Sequence, residues 1–143
     1  MHQIEFTLSG IRKSYGPVQV LAGLSFAVKT NHIVALLGPS GCGKTTLLSI
    51  IADLKQPDQG QVTGVENKPV SYLFQEPRLL DWLTVGENLA FVLRDHIPRA
   101  ELAKRIDYYL EQMALAAYRD TYPRQLSGGQ RQRVAMARAL AYP

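Results

Sequence analysis

The sequence contains little cysteine and no long apolar run, and both scarcities narrow what the protein can be. Cys42 is the one cysteine among 143 residues, so an internal disulfide is excluded and a reducing compartment is expected. No apolar stretch is long enough to span a bilayer. Residues 1–5 lack a basic region leading into an apolar one, so no secretion signal is expected. Length and composition therefore predict one soluble domain with a buried core.

The sequence also lacks a concentration of charge of one sign, although its net charge is +4. Residues 1–75 carry six Lys/Arg against four Asp/Glu, and residues 76–143 carry ten against eight. Neither part contains a basic block or a stripe of interleaved aromatic and basic side chains. The excess is therefore interpreted as a mildly basic solvated surface, and nucleic acid is not expected as a partner.

The most informative segment is a glycine-rich loop, residues 38–45, in the pattern G-x-x-x-x-G-K-S/T. The apolar run at 33–37 predicts a parallel strand covered on both faces, and a helix is predicted over 45–54. In that context loop N–H groups bind phosphate, Lys44 reaches the β- and γ-phosphates, and the Thr45 hydroxyl ligates Mg²⁺. A glycine-rich turn without a ligand is the alternative. The predicted nucleotide contacts here are Gly38, Pro39, Ser40, Gly41, Cys42, Gly43, Lys44, Thr45 and Thr46.

A second glycine-rich segment, Leu-Ser-Gly-Gly-Gln, occupies residues 126–130. Ser127 is a predicted N-cap, and Gln130 stands at the capping-box spacing ahead of a helix-forming run, 131–141. Gly128 and Gly129 would leave backbone N–H groups uncovered at the positive end of the helix dipole. By itself this pattern is equally compatible with an ordinary capped helix.

The two loops, in this order, resemble the Walker A and signature motifs of ATP-binding-cassette (ABC) ATPases. The resemblance implies an α/β P-loop core with an N-terminal antiparallel β-subdomain and a helical subdomain, incomplete at the C-terminus. It divides the chain into residues 1–75, 76–126 and 127–143. It also implies that Ser127, Gly128, Gly129 and Gln130 contact nucleotide bound to a second, facing subunit of a head-to-tail dimer.

Two residues outside the loops acquire roles from the same resemblance. Gln75, after a strand predicted at 70–74, is similar to the Q-loop glutamine that ligates Mg²⁺, and Tyr15 is similar to the aromatic residue that stacks on adenine. A solvated loop residue and a packing aromatic, respectively, are the alternatives. The implied cofactors are ATP and Mg²⁺. The implied catalytic residues are Lys44, Gln75, Ser127 and Gly129, and the implied metal ligands are Thr45 and Gln75.

Further strands are predicted at residues 3–9 and 18–28, and a turn at 57–60. Pro98 suits the first turn of a helix whose buried face would carry four apolar residues at helical spacing. Those residues are Leu102, Ile106, Leu110 and Met113. Asn31 is expected to tolerate a left-handed turn, and Asp53 to influence where the helix after the P-loop ends.

The segment at residues 75–88 resembles the pattern Q-E-x-x-L-L-P-W-x-x-V-x-x-N of the nitrate/sulfonate/taurine branch of ABC importers. Asp81 stands in place of the usual proline. Trp82 either lines a groove for a membrane subunit's coupling helix or packs in the core beneath the helical subdomain. The sequence leaves both possibilities open.

The resemblance implies an ATPase subunit of an importer that couples ATP hydrolysis to uptake of a small solute of that class. Such a subunit is peripheral on the cytoplasmic face of the cell membrane, and works with a second ATP-binding subunit and membrane-spanning permease subunits. A periplasmic or lipoprotein solute-binding protein takes part indirectly. The family's Asp-Glu strand and later His do not occur before Pro143, so residues 1–143 alone are expected to be inactive. A catalytically incomplete nucleotide-binding or interaction module and a non-transport ABC ATPase remain the alternatives.

Overall fold

The computed structural model describes residues 4–66 and 68–142, so Gln3, where the first strand is predicted to begin, lies outside the described residues. The chain forms two compact units, Met1–Val70 and Ser71–Pro143. The division of the chain at residues 75 and 126 stays a prediction.

The first unit contains a three-stranded antiparallel sheet of β1 (Ile4–Tyr15), β2 (Val18–Lys29) and β3 (Gln59–Thr63), in the order β2-β1-β3. Tyr15 pairs with Val18 across a two-residue hairpin turn whose Gly16 takes a φ of 57°. The two predicted strands are thus confirmed, and β1 extends past the predicted residue 9.

Strand β3 is not predicted from the sequence, which indicates a turn over 57–60. Gln59 and Gly60 instead begin β3, which among the described residues pairs with β1 and no other strand. The pattern fails because β3 is a mostly exposed edge strand with a single apolar residue, Val62. Residues 59–63 form a strand because they pair with β1, and not because apolar and polar residues alternate along them.

Helix α1 (Lys44–Ile51) follows the glycine-rich loop, and it ends three residues before the predicted Leu54. Asp53 takes a left-handed φ of 55°, which terminates the helix and turns the chain. Asn31 has a φ of 60°, which confirms its expected left-handed conformation. The core of this unit consists of Leu8, Ile11, Leu21, Leu47 and Ile50.

The strands predicted at 33–37 and 70–74 are wrong for the described structure. Neither segment pairs with a strand within residues 4–66 and 68–142. Ile33 is fully exposed and Leu37 is 92% exposed. From its sequence the segment is expected to be buried on both faces, and within the described part of the chain it is not. A parallel strand depends on partners remote in sequence, and an apolar run does not specify them.

The second unit is helical, with α2 (Val85–Leu93), α3 (Arg99–Gln112) and α4 (Gly128–Ala141). Pro98 is the N-cap of α3. The predicted face of α3 is confirmed, since Ile106 and Leu110 are buried and Leu102 and Met113 pack against the same core. The other buried members of that core are Val85, Leu89, Leu93, Leu115, Leu126, Val134, Ala137 and Ala141. None of the helices described is both long and apolar enough to cross a membrane.

Candidate functional site

The loop that precedes α1 depends on glycine at two positions. Gly41 and Gly43 have φ values of 82° and 95°, which residues with a side chain rarely adopt. A Cβ on Gly43 would lie 2.8 Å from Cγ1 of Val20 and 3.1 Å from its carbonyl oxygen. The loop backbone therefore lies closely against β2, and α1 begins at a fixed place behind it.

Lys44 folds back over this loop. Its Nζ donates to the carbonyl oxygens of Gly38 at 2.7 Å and Pro39 at 2.6 Å, and lies 3.6 Å from Sγ of Cys42. Gly43, the N-cap of α1, has no side chain to cap the helix. The first-turn amides and the ammonium group together form a cradle of positive potential suited to a phosphate.

Thr45 and Thr46 occupy the first turn of α1, with Thr45 exposed. The carbonyl oxygen of Thr45 accepts a hydrogen bond from the Ser49 hydroxyl at 2.8 Å, which adds a side-chain contact to the backbone of this first turn. A hydroxyl oxygen suits Mg²⁺, a hard cation that prefers oxygen ligands. Within the described residues, no group of three or more His, Cys, Asp or Glu side chains could hold a metal ion.

Tyr15, at the end of β1, is 44% exposed and in contact with the region of α1. Its hydroxyl accepts a hydrogen bond from Nζ of Lys55 at 2.9 Å and lies near the Thr46 side chain. These contacts, that with Lys55 first, hold the pKa of Tyr15 below its usual range. Two predicted site residues, Tyr15 and Thr46, therefore come together in the first unit, with Lys55 as an unpredicted third.

The neighbouring residues of β1 are held by Asp58. Its carboxylate accepts hydrogen bonds from Nζ of Lys13 at 2.6 Å and from the amide of Ser14 at 2.7 Å. The contact with Lys13, followed by that with Ser14, lowers the pKa of Asp58. Asp58 therefore holds the end of β1, just before Tyr15, through one side chain and one backbone amide.

In the second unit the predicted capping box is confirmed. The amide of Gln130 donates to Oγ of Ser127 at 3.2 Å, and the amide of Ser127 donates to Oε1 of Gln130 at 2.7 Å. A Cβ on Gly128 or Gly129 would meet nothing within 4 Å. The start of α4 is thus an open, exposed surface whose first-turn amides a ligand can approach.

Gln75 also belongs to the second unit, where it is exposed. The segment that follows it is bound to α4, because the Arg138 guanidinium donates to the carbonyl oxygens of Pro77 at 3.2 Å and Arg78 at 2.9 Å. Partial burial lowers the pKa of Arg138. Sequence reasoning missed this link, because 60 residues separate Arg138 from Arg78.

Trp82 lies in a loop organised by one buried side chain. Asn88, fully buried in α2, donates through Nδ2 to the carbonyl oxygens of Leu80, Leu83 and Thr84 and accepts from the amide of Leu80. Trp82 itself is 72% exposed. Core packing of Trp82 is therefore wrong, whereas a surface role for it remains open.

Comparison with known proteins now identifies the family. The sequence profile of the family described as ABC transporter matches residues 21–143, which include the cradle and the capped glycine segment. The chain belongs to the ABC transporter family. Its fold is accordingly the α/β fold of ABC ATPases, with an antiparallel sheet in one unit and helices in the other.

Among curated relatives, a sulfate/thiosulfate import ATP-binding protein, CysA, of Gloeobacter violaceus is 42% identical, over 94% of this chain and 42% of the relative. An aliphatic sulfonates import ATP-binding protein, SsuB 1, of Pseudomonas syringae pv. syringae is 44% identical, over 90% of this chain and 52% of the relative. The chain thus spans about half the length of the curated relatives it matches, or less.

Solved structures give the same family. The ATP-binding cassette MJ0796, a dimer in a post-hydrolysis state bound to ADP and Pi, is 33% identical, with a TM-score of 0.81, over 95% of this chain and 69% of that one. An ATP-binding subunit of an ABC transporter is 25% identical, with a TM-score of 0.84, over 95% of this chain and 61% of that one.

Proposed function

We propose that this chain forms part of an ABC importer ATPase subunit, and that its first unit binds the phosphates of ATP. One observation carries the proposal. The Lys44 ammonium is hydrogen-bonded to the carbonyl oxygens of Gly38 and Pro39, beside the start of α1, and no side chain caps that helix. Those carbonyl contacts keep the ammonium at the loop before a ligand arrives. Family membership and the MJ0796 relative, with ADP and Pi bound, support nucleotide as the ligand.

Different residues would bind different parts of the nucleotide and its metal ion. Lys44 neutralises charge on the β- and γ-phosphates, while loop and first-turn amides donate to phosphate oxygens. Tyr15 stacks on the base. Thr45 and Gln75 are the proposed ligands of Mg²⁺, which when bound neutralises further phosphate charge.

The signature segment would act on nucleotide held by a second subunit. The amides of Gly128 and Gly129 and the Ser127 hydroxyl are exposed at the positive end of α4. Donors so arranged stabilise charge that develops in phosphoryl transfer. The dimeric state of MJ0796 supports a dimer as the hydrolysing form, and its proposed arrangement is head-to-tail.

The solute would be a small anion of the sulfate and sulfonate kind. Relatives named for sulfate/thiosulfate and for aliphatic sulfonates support this class, which agrees with the resemblance at residues 75–88 to the nitrate/sulfonate/taurine branch. Exposed Trp82, on a loop fixed by Asn88, is the proposed contact with a permease subunit at the inner face of the membrane. A solute-binding protein would deliver the solute to that permease.

Substitution of Lys44 tests the central claim. Lys44→Ala should lower affinity for a fluorescent ATP analogue by about tenfold or more, because a charge-assisted contact to phosphate contributes about 1.5–3 kcal/mol. Lys29→Ala, an exposed lysine at the end of β2, is the matched control and should bind as the wild type does. Equal affinities of the two variants would refute the phosphate site.

A further inference from the structure

The phenol of Tyr15 lies beside α1, near one residue of that helix and one residue that follows it. Thr46, in the first turn of the helix, lies near the hydroxyl. Lys55 lies beyond the last turn and donates to the same oxygen at 2.9 Å. Thus a ring at the end of β1 is tied to the helix that carries the phosphate cradle.

We propose that Lys55 is a positioning residue for the nucleotide base: it holds the Tyr15 ring in one orientation beside α1. This inference rests on the proposed function, in which Tyr15 stacks on the base. Nothing in the motifs points to Lys55, which stands 40 residues from Tyr15 in the sequence.

The position of the ammonium suits a support at the ring's edge. Nζ of Lys55 lies 2.9 Å from the phenolic oxygen and 5.1 Å from the ring centroid. The ammonium is therefore closer to the oxygen than to the ring, and it acts chiefly as a hydrogen-bond donor. A flat base stacks on a ring face, so an anchor at the oxygen orients the ring while a face stays open for stacking.

The backbone of Lys55 is itself fixed in place. Asp53, with its φ of 55°, turns the chain after α1. The amides of Leu54 and Lys55 then both donate to the carbonyl oxygen of Ser49, at 2.8 and 3.2 Å. The side chain consequently starts from a defined point at the helix end, within reach of Tyr15.

The second lysine near the ring is committed elsewhere. Nζ of Lys13 lies 5.9 Å from the centroid and forms an ion pair with Asp58 at 2.6 Å. Lys13 therefore stabilises the strand end, whereas Lys55 is bonded directly to the ring oxygen. A ring held in advance loses less side-chain freedom when the base binds, and affinity for the base rises accordingly.

A binding experiment with two ligands separates base positioning from general electrostatics. ATP and inorganic tripolyphosphate are titrated calorimetrically into the full chain carrying Lys55→Met, Tyr15→Phe or both. Lys55→Met should weaken ATP binding about threefold, because the lost contact is solvent-exposed and acts on the base only through Tyr15, and it should leave tripolyphosphate binding unchanged. In the Tyr15→Phe background, Lys55→Met should have no further effect on ATP. Lys55→Arg keeps a donor and should restore most of the ATP affinity.

An ultraviolet titration gives a readout independent of nucleotide. The difference between wild type and Tyr15→Phe isolates the ionisation of Tyr15, whose pKa should rise in Lys55→Met because the ammonium contact is lost. Unaltered ATP affinity in Lys55→Met, or an equal loss of ATP and tripolyphosphate affinity, would overturn the positioning role. Wild-type protein that binds neither ligand would refute the proposed nucleotide site itself, so the two failures are distinguishable.

Discussion

The Arg138 guanidinium donates to the backbone oxygen of Arg78 at 2.9 Å, so that helix α4 holds the segment that follows Gln75. The same guanidinium nitrogen also lies within hydrogen-bond distance of the carbonyl oxygen of Pro77, at 3.2 Å. The Ser71 hydroxyl donates to the carbonyl oxygen of Ala139 at 2.7 Å, so the chain before Gln75 is also attached to α4. One helix thus carries the signature segment at its start and supports the Gln75 segment near its end.

We expect Arg138→Met to release the segment after Gln75. The free energy of unfolding should fall by about 1.5 kcal/mol, since two backbone oxygens lose a charged donor. Hydrogen exchange of the amides in 75–80 should accelerate in the same variant. Arg133→Met is the control, because Arg133 is exposed and donates to the Met113 oxygen at 3.1 Å, away from residues 75–80. Equal exchange rates at 75–80 in both variants would contradict the role of Arg138.

A larger loss of stability is expected for Asn88→Ala. The buried side-chain amide contacts three carbonyl oxygens and one N–H. Its removal takes these partners from the half-buried N–H of Leu80 and carbonyl oxygen of Leu83, whereas the oxygens of Leu80 and Thr84 keep backbone donors. The free energy of unfolding should decrease by about 3 kcal/mol in denaturant titrations. Tryptophan fluorescence of Trp82 should change as well, because the loop that carries it loses its support. An effect as small as that of an ordinary surface substitution would show that the network is dispensable.

Local features of the structure follow well from the sequence. The Ser127–Gln130 capping box and the buried face of α3 depend on spacings of three or four residues along one helix. Such spacings can be read from residues that are close together in the sequence. The β1–β2 hairpin was predictable for the same reason, because its turn is two residues long.

Features that depend on distant partners could not be predicted. The run at 33–37 is apolar like a buried parallel strand. A strand also needs a hydrogen-bonded partner, however, and the sequence of the run does not indicate which segment that partner is. The contacts of Lys55 with Tyr15 and of Arg138 with Arg78 span 40 and 60 residues, and long flexible side chains form them. Without the fold, any exposed lysine or arginine could be assigned to such a contact.

Gly43→Ala should be markedly more destabilising than Gly41→Ala. Both residues have positive φ values, so both substitutions strain the backbone by about 1 kcal/mol or more. Only at Gly43 would the new Cβ also overlap Val20, because nothing lies within 4 Å of a Cβ on Gly41. We expect the gap in unfolding free energy to be about 2 kcal/mol. If thermal denaturation finds the two variants alike, the close approach of the loop to β2 is wrong.

Ser127→Ala should separate nucleotide binding from hydrolysis in the complete subunit. The Ser127 hydroxyl caps α4 and is exposed at its positive end. If it acts on nucleotide held by a facing subunit, its loss removes a contact that matters in the transition state. ATP affinity of the isolated subunit should therefore stay near the wild-type value, while turnover by the dimer falls by about 100-fold.

The structural cost of the same substitution is measurable through a matched cap. Thr84 caps α2 in an equivalent capping box with Glu87, so Thr84→Ala and Ser127→Ala should each lose about 1 kcal/mol of stability. Thr84→Ala should nonetheless retain turnover, because its hydroxyl lies at a helix start outside the signature segment. Parallel loss of turnover in both variants, in proportion to their melting temperatures, would mean that Ser127 serves the fold alone. Loss confined to Ser127→Ala would identify its hydroxyl as a group that acts in the reaction.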